Sequence, residues 1–196
     1  MNNYDELYII LNNISPISKD VWDDIKSNFK EKTIYKGDYL FKIDDDVKDF
    51  YFLLDGIARY YYLTTDGKDF NKSFAYKKGH LLSSISSVIG LEKSPFSVEI
   101  LSEKFTVLYI PYEDFINLGY KHISWHKLTL KIYEHLIIKK EKREADFLLL
   151  NATARYEKFL QDYKDIVNII PNYQIAAFLG ITEVALSRIR KNINIS

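Results

Sequence analysis

The stretch from Pro171 to Ile193 constrains this chain more tightly than any other part of it. Two short helices that cross steeply through a brief turn need three things: a small residue where they approach, a residue able to take positive φ where the first ends, and an N-cap for the second. Ala176, Gly180 and Thr182 stand at those places. Ile175, Leu179, Ile181, Leu186 and Ile189 then supply a buried face, and Glu183, Val184, Ser187, Arg188 and Lys191 are left pointing outward. An outward face of this kind fits a DNA major groove, so the spacing predicts a helix-turn-helix. Arg188 is the candidate base reader, because a guanidinium reaches guanine O6 and N7 with two hydrogen bonds; Ser187 is its neighbour. Glu183 is suited to accept from cytosine N4, and Thr182 to serve both as cap and as phosphate contact. Arg190 and Lys191 are expected on backbone phosphates or in solvent. A helical hairpin used as a protein-docking surface has the same glycine turn, and it remains the alternative reading.

Charge and composition narrow the classes. The net charge is zero, which argues against indiscriminate nucleic-acid binding over the whole surface. Residues 151–196 nevertheless hold six basic side chains (Arg155, Lys158, Lys164, Arg188, Arg190, Lys191) against four acidic ones. Only five arginines occur in the chain and three of them lie here; arginine suits bidentate recognition of phosphate and guanine. The absence of cysteine excludes disulfides, thiolate metal sites and cysteine nucleophiles. The N-terminus has no basic region before an apolar run, and no stretch approaches the length of a membrane span, so a soluble, cytoplasmic protein with no membrane partner is expected.

The rest of the chain reads in three parts. From Asn2 to Lys30, apolar residues at helical spacing around a Ser15-Pro16 break predict two short helices. From Thr33 to Pro111, short β-favouring runs alternate with glycine and aspartate, and Asp66-Gly67 between Tyr60–Leu63 and Phe70 marks a tight hairpin. From about Glu113 to Leu150 the pattern is helical, with Trp125, Leu128, Ile132 and Leu136 forming a stripe suited to pairing two subunits or, as the alternative, to packing against the chain's own β-domain. The expected organisation is therefore an α+β chain: a β-domain with N-terminal helices over 1–112, a long connecting and dimerisation helix over 113–150, and the helix-turn-helix domain over 151–196.

This order of parts resembles the cyclic-AMP receptor protein/Fnr (Crp/Fnr) family of bacterial transcription regulators. The resemblance rests on Lys36-Gly37-Asp38 before a strand, on Phe50 to Arg59 as strand-turn-strand, on Gly79 opening the stretch that corresponds to a phosphate-binding cassette, and on Ala154-Arg155-Tyr156 leading into the terminal motif. The run from Ile175 to Arg190 looks most like the subgroup common in Bacteroidetes. The resemblance implies a cyclic-nucleotide-binding-like β-roll (a double-stranded jelly roll), a homodimer that reads a palindromic double-stranded operator, a contact with RNA polymerase, and no enzymatic activity.

The sensor is where the sequence departs from the family. Family members that bind cyclic nucleotide place a Gly-Glu pair after the cassette's first glycine and an arginine further on for the cyclic phosphate. Those places hold Ser83-Ser84 and Lys93-Ser94-Pro95-Phe96-Ser97. Without the guanidinium fork a cyclic phosphate loses its main counter-charge, so cyclic AMP is not expected and no cofactor is assigned. Gly79, Leu82, Ser83, Ser84, Phe96 and Ser97 are the candidate lining of a pocket for an unidentified effector. His122 and His126 lack a third ligand and read as solvated, and His80 is the only histidine in the β-region, too few for a cupin-type metal enzyme.

Overall fold

Two runs in the strand-rich region are apolar at nearly every position rather than at alternate ones: Phe50 to Leu54 and Phe105 to Ile110. The computed structural model describes residues 2–193 and accounts for both; Met1 and residues 194–196, included in the expected outer domains, lie outside the described residues. The runs form β3 (Asp49–Asp55) and β8 (Lys104–Pro111), the two inner strands of a four-stranded sheet. In that sheet β1 (Lys30–Tyr35) pairs with β8, β8 with β3, and β3 with β6 (Leu81–Leu82), every pair antiparallel. A second sheet has the order β2 (Tyr39–Phe41), β7 (Ser97–Ile100), β4 (Ala58–Leu63), β5 (Asp69–Ala75).

The inner strands are covered on both sides. Phe50, Phe52, Leu54, Leu108 and Ile110 face a core shared with α1 (Asn3–Ile14), α2 (Lys19–Ile25), α4 (Tyr112–Lys121) and α5 (Ile123–Leu149). Their period-2 neighbours Tyr51, Leu53, Phe105 and Val107 face a second core with Phe41, Ala58, Leu82, Phe96, Val98 and Ile100. The continuous apolar runs are therefore the signature of a sheet buried on two faces. Both N-terminal helices form as the sequence predicts, capped by the side chains of Asn2 and Ser18. The Asp66-Gly67 hairpin forms too, but as a five-residue connection over 64–68 closed by Thr64 N–H to the Lys68 carbonyl at 2.8 Å, not as a tight two-residue turn.

The chain divides into two compact units, Met1–Tyr60 with Phe74–Leu136, and Tyr61–Ser73 with Ile137–Ser196. The second contains the hairpin tip, the C-terminal half of α5, α6 (Ala152–Asp162), α7 (Asn172–Leu179) and α8 (Glu183–Asn192). Among the described residues no helix is long and apolar enough to cross a membrane.

Two expectations about the helical segment need correction. It is two helices, broken at His122, which ends α4 in extended conformation. The stripe Trp125, Leu128, Ile132, Leu136 does not offer a face to a second subunit: the first three are buried in the core of the first unit and Leu136 packs against it. Trp125 sits against Phe29 and Phe115 and donates from Nε1 to the Phe115 carbonyl at 3.0 Å. The helical period was legible, but the first unit's own sheet needed a cover and takes the apolar face. Trp125→Ala should cost the first unit about 3–5 kcal/mol in urea unfolding, whereas Lys127→Ala on the exposed face of α5 should cost less than about 0.5 kcal/mol.

Candidate nucleic-acid interface

The terminal motif forms with the predicted turn and cap, though Ile181, expected in the buried face, is only half-buried. Pro171, with φ of −60°, starts α7; Gly180 ends it in the left-handed conformation at φ of 67°; Thr182 caps α8 by accepting from the Ala185 N–H at 3.1 Å. Ile175, Ala176, Leu179, Leu186 and Ile189 are buried, while Thr182, Glu183, Ser187, Arg188 and Lys191 are exposed along one side of α8. No strand interrupts Asp162 to Asn172, a segment described throughout; it is a series of turns packed through Tyr163, Ile166 and Ile170.

The C-terminal end of α7 leaves carbonyls with no intrahelical partner, a cost wherever they are not solvated. Those of α7 are met by two arginines from outside the motif. Arg143 of α5 donates to the Phe178 carbonyl at 2.9 Å, and Arg155 of α6 donates to the Leu179 carbonyl at 3.1 Å and to the Leu150 carbonyl at 2.7 Å. Both guanidiniums lie on the Phe147 ring, at 4.8 and 4.9 Å from its centroid, and Arg143 also lies 3.7 Å from that of Phe178. Cationic groups at a helix C-terminus are favoured by the helix dipole as well. Burial lowers the Arg143 pKa below the usual range, yet guanidinium remains charged at any physiological pH.

Arginine in the C-terminal region is thus mostly structural. Arg190 donates from Nη1 to the Asn172 side chain at 2.5 Å, bracing α8 against the start of α7. Lys158 pairs with Asp146 at 2.6 Å. Arg188 keeps its exposed position on α8. The sequence does not single out Arg143 and Asn71, because the carbonyls they meet belong to α7, far along the chain. Lys72 on the hairpin is held down to about 8 by burial and then by Lys140 and Lys139 on α5, so three amines gather there.

The candidate effector residues are partly brought together. Leu82 and Phe96 share the core between the sheets, where Phe96 packs against Phe41 and Tyr60 at 5.8 and 5.7 Å between centroids. Ser83 donates to the Asp49 carbonyl at 2.9 Å, and the Ser97 hydroxyl accepts from the Ile43 N–H at 2.9 Å. Ser84 is buried, and its hydroxyl has no partner among the described residues. Gly79, at φ of 80°, lies under α1, and a Cβ there would collide with the Ile10 side chain. Beside them Arg59 makes a largely buried ion pair with Glu99 at 2.7 Å. Among the described residues no group of three or more histidine, aspartate or glutamate side chains is arranged to hold a metal ion.

Gly180→Ala should destabilise the second unit by about 1–3 kcal/mol in chemical denaturation, because alanine is strained at positive φ and its methyl would meet Phe147 at 3.3 Å.

Comparison with known proteins gives three results. Residues 31–122 match the family model of the cyclic nucleotide-binding domain. No curated protein matches the chain by sequence. Among solved structures, the c-di-GMP-responsive global regulator CLP of Xanthomonas campestris is similar at a TM-score of 0.71 and 12% identity, covering 90% of this chain and 92% of that one. A CooA variant from Carboxydothermus hydrogenoformans reaches a TM-score of 0.70 at 17% identity, covering 95% and 84%. A regulator of the Crp/Fnr family from Eubacterium rectale reaches 0.70 at 16% identity, covering 97% and 88%. Residues 31–122 thus carry the sequence character of a cyclic nucleotide-binding domain, and the chain has the fold of the Crp/Fnr-type transcription regulators.

Proposed function

We propose that the protein is a homodimeric, cytoplasmic transcription regulator of the Crp/Fnr type that reads a palindromic operator with α8 and does not respond to cyclic nucleotide. The observation that carries the DNA reading is the α7–Gly180–Thr182–α8 pair: Ile175, Leu179, Leu186 and Ile189 are buried, while Glu183, Ser187 and Arg188 stand exposed on one side of the second helix. A surface of this shape and size enters a major groove, and an unencumbered guanidinium there is suited to guanine. Thr182 adds a hydroxyl and the free N–H groups of the α8 first turn for a phosphate.

The dimer reading rests on the other face of α5. Leu130 and Ile137, seven residues apart, are 49% and 56% exposed, and Ile123 continues the same seven-residue spacing. Apolar residues at that period on a 27-residue helix suit pairing with a second copy. The insensitivity to cyclic nucleotide rests on the side chains at the expected site: Ser83 and Ser97 are engaged with backbone, Phe96 is part of the inter-sheet core, and Arg59 is engaged by Glu99. No arginine stands between Lys93 and Ser97 to neutralise a cyclic phosphate.

Arg188→Ala should weaken binding to genomic fragments selected by the wild-type protein by roughly 10- to 100-fold in fluorescence anisotropy, with binding to unrelated DNA reduced far less. Addition of cyclic AMP should leave the wild-type curve where it is. An Arg188-indifferent affinity would overturn the base-reading assignment. Sedimentation of the wild type should give twice the 23.1 kDa chain mass, and Ile137→Glu should give the monomer with the helix content retained.

A further inference from the structure

The tip of the β4–β5 hairpin, Tyr61–Ser73, belongs to the same compact unit as α7 and α8, although it comes from the strand-rich half of the sequence. Its attachment is polar and buried. Asn71 is 2% exposed, and its Nδ2 donates to the Gln174 carbonyl in the first turn of α7 at 2.8 Å. Gln174 is equally buried. The Asn71 carbonyl accepts from Nη2 of Arg143 at 3.2 Å, and the same nitrogen donates to the Phe178 carbonyl at 2.9 Å. One guanidinium on α5 therefore joins the hairpin to the last turn of α7 while the hairpin's own amide holds the first turn. A buried amide and a half-buried guanidinium are costly to desolvate unless their partners are fixed, so this arrangement tolerates few alternatives.

We infer that Asn71 and Arg143 form a latch by which the hairpin tip positions α7, and with it the α8 reading face, for binding DNA; this rests on the DNA-binding reading above. The latch works by positioning and not by occlusion. Its bonds end on α7 carbonyls at Gln174 and Phe178, and Glu183, Ser187 and Arg188 remain exposed. A reader held in one orientation loses less freedom on binding its specific site, so the latch favours sequence-specific over non-specific complexes.

The test uses the full-length chain. Asn71→Ala should lower affinity for a fragment selected by the wild-type protein about tenfold, while the affinity for unrelated DNA and the dependence of binding on salt stay as in the wild type. Merely destabilising the helix pair would depress both affinities together. Amide hydrogen exchange without DNA gives an independent reading: Asn71→Ala should speed exchange in α7 and in residues 69–73 and leave the α8 interior protected. Unchanged exchange in α7 overturns the latch whether or not the wild type binds DNA. Faster exchange with unchanged specific affinity keeps the attachment and overturns its positioning role. Failure of the wild type to bind any fragment, with the exchange effect present, overturns the DNA reading and the positioning role with it. Should Asn71→Ala fail to fold, Arg143→Lys keeps the charge but not the planar fork, and it should show the same split between specific and non-specific DNA; equal loss of both overturns the proposal.

Discussion

The first unit depends on the burial of β3 and β8 on both faces. A strand with one buried face can leave the other to water, and half its residues are then polar. These two strands are flanked by strand partners in their sheet, by the second sheet on one side and by α1, α2, α4 and α5 on the other. Every side chain from Phe50 to Leu54 is thereby committed to one of two cores. That commitment explains why α5 spends Trp125, Leu128 and Ile132 on its own chain: the outer face of the sheet would otherwise expose Phe50, Phe52, Leu108 and Ile110. What α5 then leaves outward includes Ile123, Leu130 and Ile137, a different stripe from the one its strongest residues define.

In the second unit the organising problem is electrostatic. A short helix ending in a glycine turn has orphan carbonyls, and α7 ends beside Phe147 and α6. Arg143 and Arg155 solve this with charged donors that lie on the Phe147 ring. The consequence is a division of labour among the five arginines. Arg59 is paired inside the β-region, Arg143 and Arg155 close the end of α7, and Arg190 ties α8 to α7. Arg188 stands apart from these on the exposed side of α8. A count of arginines by region overstates the charge available to DNA, because guanidinium is also the group best suited to satisfying backbone oxygens at buried sites.

The inter-sheet core shows how a fold persists while its site changes. Phe41, Phe96 and Tyr60 occupy the middle of the space between the sheets, and Arg59 is neutralised by Glu99. Aromatic rings there supply the packing that keeps the sheets together. The Ser84 hydroxyl is the exception, a buried donor with no partner among the described residues.

The chain's own sequence determined whatever depends on neighbours within a few residues. The two N-terminal helices, the strand-rich middle and the cap and turn of the terminal motif follow from Asn2, Ser18, Asp66-Gly67, Gly180 and Thr182, because caps and positive-φ turns are local chemistry. Periodicity likewise placed Ile175, Leu179, Leu186 and Ile189 inside the helix pair. What it left open is which surface each amphipathic face meets, since hydrophobic burial is non-directional and Trp125 packs as well on a sheet as on a second helix. Only the tertiary structure decided that the Trp125 stripe covers β3 and β8, that Arg155 and Arg190 serve backbone and side-chain oxygens of their own chain, and that Asn71 bonds to Gln174, 103 residues away. A single polar pair at that separation leaves no period in the sequence, and its energy exists only once the rest of the fold has excluded water from it.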